Sequence, residues 1–376
     1  MSAVQRVAIA GGGVAGTAVA IILAEKGIEV DVFEAKPSLD ALGSGITLQG
    51  NALRVLRQLG VWDAVKAQSY TFDMLGLRAP DPDATLIAAF PDQRTGGPDL
   101  PATAGMYRPD LARILVERAT ALGARVHFGA KVTGLESTEN GVDVTVDGAE
   151  GGHYDLLIGA DGLHSGVRSL LGIELEPRRI GAGIWRAFVD RPESVTHTDL
   201  YYGGPSLIAG YCPTGEDSMY AYIVEREQDR SGMTPEQGVE TMMQLAAAYH
   251  GPWDDVRANL TTSSRVNYTW FTEHVVGGQW NRGPVVLIGD AAHSCPPTIA
   301  QGAAQALEDA AVLGELLLSS DSLNDVWAPF HERRVARATA VVEASTQLVT
   351  WLLENNRDGD IPGLMGRISA LVSVPA

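Results

Sequence analysis

Three glycines near the N-terminus constrain the fold of this chain more than any other feature. Gly11, Gly13 and Gly16 form the pattern G-x-G-x-x-G between a β-branched run at residues 6–10 and an apolar helical segment. In this pattern the first glycine permits a tight turn, the second lets the backbone approach a pyrophosphate, and the third lets the helix pack on the strand. Glu34 ends the next strand, where a carboxylate can accept hydrogen bonds from both ribose hydroxyls. The sequence therefore predicts a βαβ unit that binds a dinucleotide without a 2′-phosphate.

Two further motifs follow buried strands later in the chain. Residues 155–168 contain Asp161-Gly162, and residues 284–293 contain Gly289-Asp290 directly after a run of β-branched residues. The Asp290 carboxylate can bind hydroxyls of an extended ligand. Gly302 then begins a helix whose free N–H groups can face an anionic ring. These motifs indicate that distant parts of the chain share one ligand site.

The composition limits the classes of partner. The chain has 376 residues, a formal net charge of −18 and two cysteines. The length allows about two domains. The acidic balance predicts that the chain binds neither nucleic acid nor an anionic membrane surface. Two cysteines make neither a disulfide framework nor a zinc site, and we expect no metal. No signal peptide is visible and the apolar run at 14–23 is too short to span a bilayer, so a cytoplasmic location is expected.

The order of the elements predicts an α/β fold with an interrupted sheet. We expect helices at 110–122, 235–249 and 323–353 and a hairpin at Asn140-Gly141, and strand-like segments dominate residues 177–275. The predicted division is a dinucleotide-binding domain at 1–72, 105–176 and 276–376, the last part including the C-terminal helices. Residues 73–104 are an excursion toward a mixed-sheet substrate domain at 177–275.

The three motifs, in this order and spacing, closely resemble the single-component (class A) flavoprotein aromatic hydroxylases, the p-hydroxybenzoate hydroxylase-like family. The length and the segment 43–48 are most similar to the small members that act on salicylate, hydroxynicotinate or pyridine carboxylates. The resemblance implies a Rossmann-like FAD-binding domain of the glutathione-reductase type. It also implies FAD as cofactor, NADH or NADPH as a transient electron donor, and O2. The implied reaction is hydroxylation of a small aromatic or N-heteroaromatic substrate, phenolic or carboxylated, through a flavin C4a-hydroperoxide.

The resemblance also assigns residues to FAD. The ADP half is assigned to Gly11, Gly13, Val14, Ala15, Gly16, Glu34, Ala35 and Lys36, with Val132 at the adenine. Gly45 and Arg108 are placed near the flavin, Asp161 at both nucleotides with Arg168 as its structural partner, and Asp290 at the ribityl chain. The loop over the flavin ring is assigned to Pro297, Ala300, Gln301, Gly302 and Ala303. Two positions depart from the family pattern, which often has Pro at Ser294 and Asn at Ala304.

The substrate is expected between the flavin and the second sheet. The candidates are Arg186, Tyr202, Tyr211, Tyr220 and Tyr222. Arg186 could hold a carboxylate through a bidentate pair, and a tyrosine could bind or deprotonate a phenol. Strand alternation places Tyr220 and Tyr222 on one face. The alternative is that these residues only pack the sheet, since tyrosine is favoured in strands. The same motifs favour structural roles for His164 and His293 and a packing role for Cys295.

Other functions on the same scaffold stay open at this stage. An FAD-dependent oxidase, epoxidase or reductase has the same cofactor motifs, because a fold does not determine its chemistry. A non-catalytic protein that binds flavin or sequesters a ligand is a further alternative. The apolar residues of the helix at 323–353 could pack on the nucleotide-binding domain or on a second subunit, so the chain is expected to be a monomer or a homodimer.

Overall fold

The structure is a computed structural model that describes residues 2–39, 44–261 and 264–376. Gly43, part of the segment 43–48, lies outside these residues. The strands, in chain order, are β1 Arg6–Ala10, β2 Glu29–Glu34, β3 Gly45–Gln49, β4 Ser69–Phe72, β5 Met74–Arg78, β6 Leu86–Pro91, β7 Thr103–Tyr107, β8 Arg125–Phe128, β9 Val132–Thr138, β10 Gly141–Val146, β11 Ala149–Tyr154, β12 Leu156–Gly159, β13 Arg178–Asp190, β14 Thr198–Tyr201, β15 Ile208–Pro213, β16 Ser218–Arg226, β17 Val266–Val275, β18 Asn281–Arg282, β19 Val285–Leu287 and β20 His293–Ser294.

Helices cover and connect these strands. The α-helices are α1 Val14–Glu25, α2 Gly50–Gln58, α3 Trp62–Ala67, α4 Arg108–Ala121, α5 Gly166–Leu170, α6 Pro235–Ala246, α7 Pro252–Asn259, α8 Gly302–Ser319, α9 Leu323–Leu353 and α10 Ile361–Ser373. Short 3-10 turns lie at Gly289–Ala291 and Pro297–Ile299. None of the helices in the described ranges combines the length and hydropathy that crossing a bilayer requires.

The first sheet joins strands from both ends of the chain. Its order is β18-β19-β12-β1-β2-β8, and β1 runs parallel to both β12 and β2. Val7 pairs with Leu156 on one side and with Val30 on the other. The interior of β1 is fully buried, as expected for a parallel strand covered on both faces. β19 pairs with β12, so the sheet gains a strand from residues 285–287.

The second sheet is larger and mixed. Its order is β20-β17-β13-β16-β15-β14-β5-β6, and β5 and β14 are parallel while the other pairs are antiparallel. A mixed sheet was expected from residues 177–275, and here β5, β6 and β20 join it from outside that range. The domain boundaries themselves stay a prediction.

The two faces of this second sheet differ. One face packs against α6 and α7 around a buried aromatic cluster of Trp185, Tyr201, Tyr211, Tyr249 and Trp253. The other face of the sheet turns toward β3 and β7, whose backbone approaches it closely at two glycines. A Cβ placed on Gly45 would lie 1.9 Å from the Tyr220 ring, and one on Gly105 would lie 2.0 Å from the carbonyl oxygen of Pro213. We call this second surface the cleft face.

The expected helix at 235–249 is observed as α6, with its end corrected from Tyr249 to Ala246, and the sequence did not predict α7. α6 ends at Ala246 and α7 begins at Pro252, because Gly251 adopts a φ of +69° and Pro252 occupies the first turn of the next helix. The other local expectations are confirmed. Asn140-Gly141 connects β9 to β10, with Gly141 at a φ of +150°, and α9 spans Leu323–Leu353.

Candidate functional site

The turn between β1 and α1 accepts only glycine at two positions. Gly11 has a φ of +104°, and a Cβ there would lie 2.3 Å from the carbonyl oxygen of Ala160. A Cβ on Gly16 would lie 2.0 Å from the carbonyl oxygen of Gly11. Gly13, in contrast, has no atom within 4 Å of the Cβ position, so the backbone there is open to a ligand. The α1 N-terminus has no side-chain cap and no acidic residue in its first turn. Its free N–H groups and positive dipole end suit a pyrophosphate.

A cleft of about 240 Å³ lies beside this turn. Seven of the predicted cofactor-binding residues line it: Gly11, Gly13, Glu34, Ala35, Lys36, Val132 and Asp161. Val14, Ala15 and Gly16 lie behind it, in the first turn of α1. Phe33, Lys131 and His164 line the cleft too and were not predicted for it. His164, expected to be structural, is exposed at this position.

The carboxylate of Glu34 is held in place by two backbone groups. Oε2 accepts a hydrogen bond from the N–H of Gly12 at 2.8 Å, and Oε1 accepts one from the N–H of Lys36 at 2.9 Å. Each carboxylate oxygen retains acceptor capacity for a ribose hydroxyl. The position of Glu34 at the cleft therefore fits a nucleotide with free ribose hydroxyls.

The Asp161 carboxylate also accepts two hydrogen bonds. Its Oδ2 accepts a hydrogen bond from the N–H of Val167 at 3.0 Å, and Ser165 donates its hydroxyl proton to Oδ1. Arg168, in the same helix, donates to the carbonyl oxygens of Leu163 and Ala291. The Arg168–Ala291 bond connects the Asp161 segment to the turn that carries Asp290.

That turn meets the N-terminal motif directly. A Cβ on Gly289 would lie 3.1 Å from the Cβ of Ala15, so the Asp290 turn packs against the first turn of α1. Asp309 accepts a hydrogen bond from the Gly289 N–H at 2.8 Å and one from His293 at 2.7 Å. His293 is therefore buried and bonded to Asp309, which fits the structural role that its motif favours. The Asp290 side chain is exposed at the site. Desolvation by the surrounding protein raises the pKa of its carboxyl group, and the charges of His293 and Arg108 oppose this rise.

The segment that follows Asp290 ends in an unusual turn. Ala300 has a φ of +51°, a left-handed conformation that residues other than glycine adopt rarely. The Gln301 side chain makes no capping hydrogen bond to the backbone N–H groups of α8, and no acidic residue lies in the first turn. Pro297, Gly302 and Ala303 keep exposed surface here, and the free N–H groups of α8 can stabilise an anionic ring. Cys295 nearby has a pKa raised by burial to about 12, so it is a neutral thiol.

Arg108 connects this end of the site with the cleft face. It is exposed at the start of α4, and its backbone N–H donates to the carbonyl oxygen of Ser44, next to Gly45. Its charge acts on both Asp290 and Arg186. Arg108 therefore lies between the predicted ribityl site and the predicted substrate site.

Three of the predicted substrate residues share the cleft face. Arg186 is directly opposite Tyr222 in the β13–β16 register, and Phe188 is opposite Tyr220. The rings of Tyr220 and Tyr222 are 5.5 Å apart, as strand alternation predicted. Tyr202 follows β14, keeps 38% of its surface exposed, and interacts electrostatically with Tyr222.

Tyr211 is corrected: the structure does not bring it to this face. Its neighbour across the sheet is Ala221, and alternation turns the Tyr211 ring into the buried cluster behind the sheet. Its hydroxyl donates to Asp199 at 2.6 Å. The sequence showed which residues alternate within one strand, but it did not show how β15 is aligned with β16.

Arg186 has an unusual environment for a charged residue. Its Nη1 donates to Thr269 Oγ1 at 2.8 Å, and it forms no ion pair with any carboxylate in the described part of the chain. Burial lowers its pKa, Tyr220 and Tyr222 favour its charged form, and Arg108 disfavours it. Burial raises the pKa of both Tyr220 and Tyr222, so both phenols stay protonated near neutral pH. Tyr220 also shares a 2.5 Å hydrogen bond with Thr47 on β3, a contact that the sequence did not indicate.

The chain is similar to known FAD-binding proteins over most of its length. The family described as FAD binding domain matches residues 5–345. The aurachin C monooxygenase/isomerase of Stigmatella aurantiaca is 32% identical over 91% of this chain and 88% of its own length. The 3-hydroxybenzoate 6-hydroxylase of Polaromonas naphthalenivorans is 30% identical over 91% of this chain and 86% of its own length. The crystal structure of Klebsiella pneumoniae HpxO with FAD and uric acid superimposes with a TM-score of 0.84 at 21% identity, covering 99% of this chain and 97% of HpxO.

The chain belongs to this FAD-binding family. Together with its relatives, which include hydroxybenzoate and hydroxynicotinate hydroxylases, this makes it an FAD-dependent monooxygenase of the aromatic type. The predicted cofactor and the predicted α/β fold class are both confirmed. The glycine turn, the Glu34 carboxylate and the free N-termini of α1 and α8 fit FAD by the chemistry of their donor and acceptor groups. No group of three potential metal ligands is found among the residues that the structure describes.

Proposed function

We propose that this protein hydroxylates a small aromatic or N-heteroaromatic ring that carries an anionic group, using O2 and NADH or NADPH, and that Arg186 binds the anionic group. The observation that carries the proposal is Arg186 itself. A guanidinium that is closely surrounded by protein and has no carboxylate partner in the described chain is costly, unless an anion completes its hydrogen bonding. A carboxylate or phenolate on the substrate is such an anion.

Bound FAD would supply electron transfer from the nicotinamide and the activation of O2. The chain's own groups would hold the cofactor at both ends: Gly11, Gly13 and Glu34 at the ADP half, and Asp290 and the α8 N-terminus at the flavin half. The sequence contains one dinucleotide fingerprint. We therefore propose that the nicotinamide nucleotide binds transiently, without a domain of its own.

The tyrosines on the cleft face are proposed to orient the substrate rather than to deprotonate it. Since burial raises the pKa of Tyr220 and Tyr222, each is a neutral phenol that can donate a hydrogen bond to a ring oxygen. Phe188 adds an apolar surface, with its ring 4.6 Å from that of Tyr107. An apolar wall beside two fixed donors keeps water from the reacting ring and holds it in one orientation.

The reaction is tested with the purified FAD-loaded protein. We expect hydroxybenzoates, hydroxynicotinates and related pyridine carboxylates to stimulate NADH or NADPH oxidation and to yield a product one oxygen atom heavier by mass spectrometry. Labelled 18O2 should give product with one 18O. Peroxide formation without oxygenated product across the whole panel would contradict a monooxygenase with this substrate class and favour an oxidase. Absence of flavin reduction by either nucleotide would contradict the proposed donor.

The role of Arg186 is tested by Arg186→Gln. We expect KM for a carboxylated substrate to rise about 100-fold, the equivalent of losing a charge-assisted pair of about 2–3 kcal/mol, and KM for the matching neutral amide to change little. Arg179→Gln is the matched control, because Arg179 lies on the same strand in an exposed pair with Glu227. Equal KM changes for the acid and the amide would show that Arg186 does not bind the anionic group of the substrate.

A further inference from the structure

A buried pair of amide side chains joins helix α2 to the turn before α8. Asn51 Nδ2 donates to Gln301 Oε1 at 3.0 Å, and Gln301 Nε2 donates back to Asn51 Oδ1 at 3.1 Å. The two residues are 250 positions apart in sequence, and their exposed fractions are 0% and 1%. A reciprocal pair of this kind sets the orientation of both amides, because neither can rotate without losing two hydrogen bonds.

The pair lies at the loop that the family resemblance assigns to the flavin ring. Gln301 directly follows Ala300, whose φ of +51° is unfavourable for a residue with a side chain. Gln301 is also the residue before Gly302, where α8 begins. A turn in a disfavoured conformation persists only when contacts with the surrounding structure hold it in place. The Asn51–Gln301 pair provides such contacts from a different helix.

The pair is part of a closed ring of buried hydrogen bonds. Asn51 also donates to Glu308 at 3.1 Å, and Arg334 donates to Glu308 at 3.0 Å. Arg334 further donates to Gln305 at 2.8 Å, and Gln305 donates to Gln301 at 3.1 Å, which closes the ring. All five side chains have exposed fractions of 2% or less. Breaking one bond in such a ring leaves a buried polar group without a partner, so the ring resists any shift of the turn.

We propose that Asn51 is a positioning residue for the flavin. It fixes the Ala300–Gln301 turn through Gln301, and it thereby aims the free N–H groups of α8 at the flavin ring. The inference depends on FAD binding and not on the proposed substrate, because its measurements need neither substrate nor nicotinamide.

The main test is Asn51→Leu, which removes the amide and keeps a similar volume. We expect the FAD dissociation constant to rise about tenfold. We also expect the midpoint potential of the bound flavin to become more negative, because the α8 dipole no longer meets the reduced, anionic ring. The flavin absorption bands should change shape. Asn281→Leu is the control: Asn281 is buried and donates to the carbonyl oxygen of Gly283, away from this ring, so this variant should lose thermal stability without any change in the flavin.

A second pair of variants separates positioning from packing. The variants are Gln301→Met and the double variant Asn51→Leu/Gln301→Met. The double variant lacks the unpaired Gln301 amide that Asn51→Leu leaves buried, so it should recover part of the melting temperature lost in Asn51→Leu. Its flavin potential should stay shifted. If every folded variant lowers the melting temperature but keeps the wild-type potential and spectrum, the ring is only structural and the proposal is wrong. Recovery of the wild-type potential in the double variant would also overturn it, since packing alone would then fix the turn.

Discussion

The nucleotide cleft and the cleft face of the second sheet are built by different means. The nucleotide cleft depends on backbone: Gly11 and Gly16 are needed because a Cβ at either position would overlap a carbonyl oxygen. The cleft face depends on side chains that strand pairing brings together, with Arg186 opposite Tyr222 and Tyr220 beside it. A site formed by backbone conformation tolerates few substitutions. A face formed by side chains on strands can change those side chains while the sheet keeps its fold. The molecule therefore combines a constrained cofactor site with a proposed substrate face whose side chains can vary.

The strongest test of this difference is Gly11→Ala. A φ of +104° and a Cβ 2.3 Å from the Ala160 oxygen together cost about 3 kcal/mol, so we expect the FAD dissociation constant to rise about 100-fold, measured by flavin fluorescence. Gly27→Ala is the matched control, because Gly27 also has a positive φ, +77°, but no atom within 4 Å of the Cβ position. It should cost about 1 kcal/mol of stability and leave FAD affinity unchanged. Unchanged FAD affinity in Gly11→Ala would show that the turn can move without loss of the site.

A second test concerns the acid stability of the first sheet, which carries the nucleotide cleft. Asp31 on β2 accepts hydrogen bonds from Arg125, His127 and Tyr154; burial alone would raise its pKa, but these bonds lower it to about 2. The unfolded chain then binds the proton first as pH falls, so Asp31 stabilises the fold above about pH 4 and loses this contribution toward pH 2.

The expected size of that contribution is about 2 kcal/mol. Urea unfolding of wild type and Asp31→Asn between pH 6 and pH 2 should show a difference in unfolding free energy that disappears at the acid end. The exposed Asp99→Asn serves as control. A difference that is constant over this pH range would mean that the Asp31 carboxylate is not the source. The flavin site should keep its affinity at pH 6 in both variants.

The smallest effects are expected from two tyrosines on opposite faces of one sheet. Tyr220→Phe should lower kcat/KM about tenfold because it removes a donor from the cleft face, and it also removes the hydrogen bond with Thr47. Tyr211→Phe should lower the unfolding free energy by about 1.5 kcal/mol and leave KM unchanged, because it removes the hydrogen bond to buried Asp199. The reverse pattern would contradict the assignment of the two faces.

Local patterns predicted much of the fold. The glycine turn with its flanking strands predicted the parallel sheet, and the apolar periodicity predicted α9 at its observed ends. The helix expected at 235–249 ends at Ala246, and the Gly251-Pro252 pair begins α7, a helix that the sequence analysis did not predict.

Long-range pairing limited the prediction of the site. Tyr211 and Tyr220 lie in neighbouring strands, and only the register between those strands decides which faces the cleft. The contact between Asn51 and Gln301 spans most of the chain and has no local pattern at all. The glycine motif could be interpreted from one segment, since its requirements are satisfied within a single turn. The substrate face could not, since it depends on the alignment of distant segments.

The contact of Gly289 with Ala15 has a consequence for biosynthesis. The ribosome completes α1 long before residues 285–319, so the nascent chain holds the ADP half of the cofactor site while β12 still has an unpaired edge. Only the late arrival of β19 and α8 pairs that edge and brings Asp290 to the helix. We therefore expect a nascent chain to bind FAD weakly until residues 285–319 have been made, and FAD that then contacts both segments would stabilise their association.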